Sequence, residues 1–360
     1  MKKRRVVVKI GSSVMTSKGC IDERLLESIV RQIIQLCKKN IDVCIVSSGA
    51  IVAGMSKLKL SKVPTQINKL QAIASIGQTS LMDIYNKHFK KYKKICGQIL
   101  LTWDDFHHRE RYNNAKNTFF TLFDQGVIPV VNENDTVSIE EIKFGDNDKL
   151  SALVAGLIDA EMLLLLSNVE GFNDGQKVVR EITRLDECHL KAVRKKGCVH
   201  TKGGMLSKLE AADLAATLGI KTVIIHGQTK DVLTKIAVDN NSDIGTHFEP
   251  RGKISGKKKW IAFSKKPKGS IIVDSGAEKA LTEKNGSLLS KGIKEVKGDF
   301  VRSDAVYVVS ENKIILGQGL VNYDSDYLKK NIGEKLPQEV IHRDHLVITE
   351  WLEFWKKQPE

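Results

Sequence analysis

Short apolar runs rich in β-branched residues alternate with longer amphipathic segments over about the first 230 residues of the chain. Six runs predict buried strands: Arg5–Ile10, Val43–Ser47, Ile95–Leu101, Val127–Val131, Met162–Leu166 and Thr222–Ile225. Five segments predict helices: Glu23–Lys39, Asn68–Lys87, Tyr112–Asp124, Lys149–Ile158 and Gly204–Leu218. Because strand–helix–strand alternation is typical of parallel sheets, we expect an α/β fold that binds ligands at the carboxyl edge of its sheet.

The composition and the pattern of the sequence change after residue 250. Residues 251–268 are basic and interrupted by proline and glycine, which is typical of a linker. Beyond them, Ser270–Asp274, Val301–Ser310 and Lys313–Gly319 predict short strands of a small β-rich module. We therefore expect two domains, at 1–250 and 269–355, joined by a linker over 251–268.

Charge is the unusual feature of the composition. With 57 Lys and Arg against 43 Asp and Glu, the net charge is +14, which favours an anionic partner, although a solvated lysine-rich surface also explains it. No apolar run reaches the roughly 20 residues that cross a membrane, and the N-terminal run is too short for a signal peptide, so we predict a cytoplasmic protein. The six cysteines show no zinc or redox spacing.

Two small-residue turns follow predicted strands near the N-terminus. In VVVKIGSS, Lys9 lies within an apolar strand just before Gly11 and Ser12. A buried lysine needs an anion, which indicates a phosphate ligand that also meets the backbone amides of the turn. A lysine that reaches solvent from an edge strand is the alternative. In IVSSGAIVAG, Ser48 and Gly49 allow a ligand to approach the backbone at a helix start, unless they serve only close packing.

The densest polar cluster occupies VNENDTVS and GDND. Its first part, after a predicted strand, is Asn132, Glu133, Asn134 and Asp135; its second part, at a predicted helix start, is Asp146, Asn147 and Asp148. Helix caps account for one or two such residues. Because two acidic and amide clusters flank one loop, we expect them to bind an amino group and to position a lysine or a metal.

The last pattern consists of two segments, LLLLSNVEGF and, further along the chain, HTKGGMLSKLEAADLA. Ser167 and Asn168 end a predicted strand, and Gly203 and Gly204 precede a helix that carries Lys208 in its first turn. Backbone amides, the helix dipole and an ammonium group could then converge on a polyphosphate. The chain has neither a Walker A motif nor the motif set of protein kinases.

In this order, VVVKIGSSV, VSSGAIVAGM, LQAIASIGQTSLM, IPVVNENDTVS, GDNDKLSALVA, LLLLSNVEG and TKGGMLSKLEAADLA resemble the amino acid kinase family. VNENDTVS together with GDND is similar to the members that phosphorylate glutamate. The resemblance implies an open, mostly parallel sheet sandwiched by helices. It also implies ATP-dependent conversion of L-glutamate to L-glutamyl 5-phosphate, the first step of proline biosynthesis. The tail from Gly269 looks like a PUA domain, a module known from RNA-modifying enzymes.

The resemblance also implies roles for single residues. Lys9 and Lys208 contact ATP phosphates, and Asp148 orients both lysines. The glutamate-binding positions are Ser48, Gly49, Asp135 and Asn147, with Asp135 at the α-amino group. The ATP-binding positions are Lys9, Gly11, Ser12, Ser167, Asn168, Lys202, Gly203, Gly204, Met205, Leu206, Ser207 and Lys208.

Further partners follow from the same resemblance. Mg²⁺ is held mainly by the ATP phosphates, with no protein ligand assigned. The chain forms a homo-oligomer, either a dimer or a tetramer, is inhibited by proline and passes its product to a glutamyl-phosphate reductase. We expect no membrane association. Two alternatives remain open: a different acceptor within the family, and RNA binding by the PUA-like domain.

Overall fold

The computed structural model describes residues 3–17, 19–138, 147–195, 204–251, 258, 261 and 267–348. The chain divides into two compact units, one of Met1–Asp105 with Asn113–Lys253 and one of Phe106–Tyr112 with Ile254–Glu360. Within the described ranges, no helix is long and apolar enough to span a membrane.

An eight-stranded sheet forms the centre of the first unit. Its strands, in spatial order, are β5 (Cys96–Leu101), β6 (Ile128–Glu133), β4 (Ile41–Ser47), β1 (Arg4–Ile10), β7 (Met162–Ser167), β9 (Lys221–His226), β10 (Thr246–Phe248) and β8 (Glu181–Ile182). The first six are parallel, whereas β10 pairs antiparallel with β9 and parallel with β8. The predicted mostly parallel sheet is confirmed. A short hairpin, β2 (Thr16–Ser17) and β3 (Cys20–Ile21), lies outside it.

Helices fill the connections between these strands. They are α1 (Ser12–Met15), α2 (Glu23–Lys38), α3 (Ala50–Lys57), α4 (Ile67–Lys90), α5 (Trp103–His107), α6 (Arg109–Asp124), α7 (Asn147–Leu157), α8 (Glu187–Lys195), α9 (Met205–Thr217) and α10 (Val232–Ala237). Helix α7 is buried at all 11 positions. Its polar first turn, Asn147–Lys149, therefore needs partners within the protein.

Helices α3 and α4 meet at two glycines. A Cβ atom on Gly77 would fall on the carbonyl oxygen of Ala50, and one on Gly54 would fall on that of Ile73. Only glycine permits this backbone contact, because every other residue carries a Cβ. The contact fixes α4 against α3, which begins directly after Gly49.

The second unit contains a five-stranded sheet with its own apolar core. The strands, in spatial order, are β12 (Ile293–Gly298), β11 (Gly269–Val273), β13 (Ala305–Ser310), β14 (Ile315–Leu320) and β15 (Leu346–Ile348). Two helices, α11 (Ser275–Thr282) and α12 (Ser325–Lys330), and two 3₁₀ turns, Ser290–Gly292 and Arg343–His345, complete it. The sequence analysis found β11, β13 and β14 but missed β12, because IKEVKG is half charged, and β15, which has only three residues.

Candidate active site

Several strands of the large sheet end side by side at its carboxyl edge. The register pairs Ile10 of β1 with Ser47 of β4 and with Leu166 of β7. In β6, Val131 pairs with Val46 of β4. Polar residues at or beyond these strand ends therefore meet along one edge, where open α/β sheets bind their ligands.

A buried carboxylate lies between two lysines at this edge. Asp148 Oδ1 is 2.5 Å from Lys9 Nζ, and Asp148 Oδ2 is 3.0 Å from Lys208 Nζ. Ser207 Oγ donates a hydrogen bond to Oδ2 at 3.1 Å. The Asp148 side chain has no solvent exposure, and those of Lys9 and Lys208 are 4% and 5% exposed. We call Lys9, Asp148, Lys208 and Ser207 the lysine cluster.

The electrostatics of the lysine cluster favour an anionic ligand. Burial acts to raise the pKa of Asp148, but the ammonium groups of Lys9 and Lys208 outweigh it, so that pKa lies below its ordinary value. The carboxylate is therefore ionised at neutral pH. One negative charge against two positive charges leaves an excess of +1 in a dry environment, where an anion is strongly attracted.

A third ion pair joins the two helices that contribute to the lysine cluster. Lys149 Nζ of α7 is 2.9 Å from Glu210 Oε2 of α9, and the two side chains are 11% and 10% exposed. Each lies next to a cluster residue, since Lys149 follows Asp148 and Glu210 lies two positions after Lys208. The pair therefore fixes the distance between the two helix starts.

Asn147, the neighbour of Asp148, belongs to a neutral set of contacts. The two hydrogens on its Nδ2 are shared among three acceptors: the carbonyl oxygen of Ser47 at 3.0 Å, Ser48 Oγ at 3.1 Å and Asn132 Oδ1 at 2.9 Å. These contacts join the ends of β4 and β6 to the start of α7. They also bring together Ser48 and Asn147, which the sequence analysis assigned to one substrate.

Side chains from α4 extend these contacts. Asn132 Nδ2 donates to Gln78 Oε1 at 2.8 Å. Ser47 Oγ and the Tyr85 hydroxyl share a hydrogen bond of 2.8 Å. Burial raises the pKa of Tyr85, so its phenol stays protonated. We call Ser48, Asn147, Asn132 and Gln78 the amide cluster.

The remaining substrate-site positions lie near the same strand ends. Gly49 has φ +104°, a left-handed conformation that glycine adopts without strain, and it begins α3. Asp135 is half-buried in the turn after β6. The sequence analysis placed Asn132 and Glu133 beyond this strand, but both are buried residues at its end.

The predicted ATP-binding positions outside the lysine cluster that the structure describes form three groups, after β1, at the end of β7 and at the start of α9. Gly11 follows β1 beside Lys9, whose Nζ is 3.5 Å from where a Cβ of Gly11 would lie, and the exposed Ser12 comes next. Ser167 is buried at the end of β7, and Asn168 is exposed directly after it. Gly204 precedes α9, whose first residues Met205, Leu206 and Ser207 are half-buried.

Three predicted positions cannot be placed. Lys202, Gly203 and Asp146 lie outside the described residues. In the parts of the chain that the structure describes, no group of three or more His, Cys, Asp or Glu side chains is arranged to hold a metal ion. The acidic residue of the lysine cluster is bound to ammonium groups, so its donor set does not fit a dedicated protein site for Mg²⁺.

Sequence reasoning missed Gln78 and Tyr85 as members of the site. Both lie inside the long amphipathic helix α4, where polar residues normally face solvent. The one available signal was the small-residue pattern around Gly77, which indicates close packing next to Gln78.

Comparison with known proteins gives consistent matches. Residues 4–226 match the amino acid kinase family, and residues 269–342 match the PUA domain. A curated glutamate 5-kinase of Caldanaerobacter subterraneus subsp. tengcongensis is 42% identical over 366 residues, which cover 96% of this chain and 98% of the relative. Glutamate 5-kinases of Thermus thermophilus and Pseudomonas entomophila are 39% and 40% identical with the same coverage.

One match is to a solved structure. A carbamate kinase from Giardia is 16% identical with a TM-score of 0.47, and the match covers 70% of this chain and 100% of that chain.

Proposed function

The chain belongs to the amino acid kinase family, and we propose that it transfers the γ-phosphoryl group of ATP to the γ-carboxylate of L-glutamate in proline biosynthesis. A carboxylate oxygen attacks the γ-phosphorus, and the bond from that phosphorus to the bridging oxygen of ADP breaks. The products are L-glutamyl 5-phosphate and ADP. The buried lysine cluster is the observation that carries this proposal, because it offers two fixed ammonium groups to a polyphosphate.

We assign the transferring phosphoryl group to Lys9 and Lys208. Phosphoryl transfer passes through a loose transition state, in which positioning and cations matter more than covalent chemistry. Asp148 holds both ammonium groups in place, so they need no reorganisation as charge moves to the bridging oxygen. Asp148 does not act as a base, since the attacking γ-carboxylate is already ionised at neutral pH.

We place glutamate at Ser48, Gly49, Asp135 and Asn147. Ser48 and Asn147 are in contact, which supports a shared ligand. Asp135 supplies a carboxylate near the α-ammonium group. The position of this set beside Asp148, the sequence neighbour of Asn147, brings the acceptor close to the lysine cluster.

We place ATP along the other strand ends. Gly11 and Ser12 lie beside Lys9, and Ser167 and Asn168 end β7. The N-terminus of α9 directs its amides and its dipole toward the phosphates, while Lys208 sits in its first turn. Mg²⁺, when bound with ATP, neutralises phosphate charge and is held by the phosphates and water.

Other parts of the proposal concern the whole protein. We propose a kinase domain over 1–250, a linker over 251–268 and a PUA-like domain over 269–355, in agreement with the ranges of the two family matches. We further propose a cytoplasmic dimer or tetramer that is inhibited by proline. Because an acyl phosphate hydrolyses readily, we expect a reductase to consume the product.

Glutamate-dependent ADP release tests the proposed function. Lys9→Ala and Lys208→Ala each remove one ammonium group from the transition state, and we expect kcat to fall about 100- to 1,000-fold. The matched control is Lys221→Ala at the opposite end of β9, where the lysine pairs with Glu249 at 2.8 Å on the surface. This control should keep the kinetics of the wild type.

The acceptor is tested in the same assay with acetylglutamate, aspartate and UMP beside glutamate. Turnover with one of these and not with glutamate would contradict the assignment of Ser48, Asp135 and Asn147. Normal turnover in both lysine variants would contradict the role of the lysine cluster.

A further inference from the structure

The three amides of the amide cluster and Gln98 form a chain of four side-chain amides that ends at the protein surface. Asn147 Nδ2 donates to Asn132 Oδ1 at 2.9 Å, and Asn132 Nδ2 donates to Gln78 Oε1 at 2.8 Å. Gln78 Nε2 then donates to Gln98 Oε1 at 3.2 Å on the outer strand β5. Each amide donates to the next, so the orientation of one determines the orientation of its neighbours.

Two backbone groups fix the direction of this chain. The carbonyl oxygen of Ser47 can only accept, and it lies 3.0 Å from Asn147 Nδ2. The N–H of Glu133 can only donate, and it lies 2.9 Å from Asn132 Oδ1. A reversed amide at either residue would bring two acceptors or two donors together, so neither can rotate alone.

The fixed orientation leaves one acceptor for a ligand. Asn147 Oδ1 is buried and has no hydrogen-bond donor among the residues that the structure describes. A buried acceptor of this kind favours a ligand that donates. At neutral pH, the two carboxylates of L-glutamate only accept, and its α-ammonium group is the one donor.

We propose that Gln78 is a positioning residue that locks Asn132 and thereby Asn147, so that Asn147 Oδ1 selects an acceptor substrate with a free α-ammonium group. This inference rests on the proposed function and assigns the source of its amino-acid specificity. Gln78 itself does not contact the substrate. It acts by accepting from Asn132 Nδ2 and so, together with the N–H of Glu133, holds Asn132 in the orientation that presents its oxygen to Asn147 Nδ2.

The test compares glutamate with glutarate, which has both carboxylates but no amino group. Gln78→Leu removes both hydrogen bonds with little change in volume, and we expect the KM for glutamate to rise about tenfold. The Ki of glutarate and the KM for ATP should stay at their wild-type values, because neither ligand uses Asn147 Oδ1. Gln78→Glu keeps an acceptor for Asn132 Nδ2, so its KM for glutamate should return to within about threefold of the wild type.

A neighbouring substitution on the same helix serves as the control. The exposed hydroxyl of Thr79 is bonded to the carbonyl oxygen of Ser75 inside α4. Thr79→Val should leave all three constants unchanged. Gln98→Leu removes only the last hydrogen bond of the chain on an exposed residue, and it should raise the KM for glutamate about twofold without a folding defect.

The outcomes separate this inference from the proposed function. A wild-type chain that does not phosphorylate glutamate overturns both. A wild type that does so, with an unchanged KM for glutamate in Gln78→Leu, overturns the role of Gln78 alone. Equal rises for glutamate, glutarate and ATP would show a merely structural role and would also overturn it. If Gln78→Leu fails to fold, the KM values of Gln78→Glu and Gln98→Leu decide.

Discussion

Two adjacent residues at the start of α7 serve opposite kinds of chemistry. Asp148 is part of the lysine cluster, in which two ion pairs enclose a fully buried carboxylate. Asn147 is part of the amide cluster, in which every described side-chain contact is neutral. Asn147 and Asp148 are both buried in one helix turn, yet the cluster of Asp148 is organised by charge and that of Asn147 by the direction of hydrogen bonds.

The difference explains what each cluster can recognise. Charge attracts any anion of suitable size, so we expect the lysine cluster to bind phosphate oxygens with little regard to the rest of the ligand. Fixed amides present donors and acceptors at set places, so we expect the amide cluster to discriminate between ligands that differ by one group. Loss of a partner in the lysine cluster should therefore lower kcat. Loss of a partner in the amide cluster should lower the selectivity between substrates.

The largest effect is expected from Asp148→Asn, which removes the buried carboxylate that pairs with both ammonium groups of the lysine cluster. We expect kcat to fall about 1,000-fold and the free energy of unfolding to fall by about 3–5 kcal/mol. ADP release and urea denaturation measure the two effects. Wild-type turnover in this variant would break the distinction between the clusters.

Asp159→Asn is the matched control for that change. Asp159 pairs with Lys116 at 3.2 Å, both side chains are 27% exposed, and its φ of 51° is one that asparagine tolerates. Since partly exposed ion pairs contribute about 0–1 kcal/mol, the loss of unfolding free energy should stay in that range.

A smaller effect, on binding, is expected from Asn147→Ala. The variant removes the contacts to Ser48 and Asn132 but leaves the lysine cluster intact, so we expect the KM for glutamate to rise about 10- to 100-fold. The KM for ATP should change less than about twofold. Steady-state kinetics with each substrate varied in turn measure both constants.

Gln32→Met is the matched control for Asn147→Ala, because it removes a buried amide that is not part of the amide cluster. Gln32 is 2% exposed and accepts from the N–H of Leu233 at 3.0 Å. Its loss should lower the free energy of unfolding by about 1–3 kcal/mol without a change in either KM. A raised KM for glutamate in this variant would show that general destabilisation mimics the effect of Asn147→Ala.

The smallest effect concerns acid stability. The pKa of Asp148 is lower in the folded chain than in the unfolded chain, where it is about 3.9. The unfolded state then binds more protons between the two values, so the stabilisation by Asp148 is complete above about pH 4 and is lost as the pH falls through the folded pKa. The wild type should lose stability more steeply below pH 4 than Asp148→Asn, and Asn147→Ala should follow the wild type. Urea titrations from pH 7 to pH 3 measure these slopes.

Prediction from the sequence was most accurate for charged residues in apolar surroundings, because burying such a residue without a partner costs free energy. Lys9 in an apolar strand and Asp148 at a buried helix start both indicated partners, and the structure brings them within 2.5 Å. Neutral residues carry no such signal. Gln78 is placed against Asn132 by the packing of Gly77 on Ala50; the small residues around Gly77 indicate close packing but do not identify its partner on the other helix. The short strands β8, β10 and β15 were missed because two or three residues are too few for periodicity.

The glycine contact between α3 and α4 has a mechanical consequence. Gly54 and Gly77 bring the two backbones so close that neither helix can slide without collision. Gln78 lies on α4, and Ser48 lies two residues before the start of α3. We therefore expect the two helices to move as one rigid unit together with these residues. A displacement of α4 would therefore take α3 with it and preserve the spacing of these two residues.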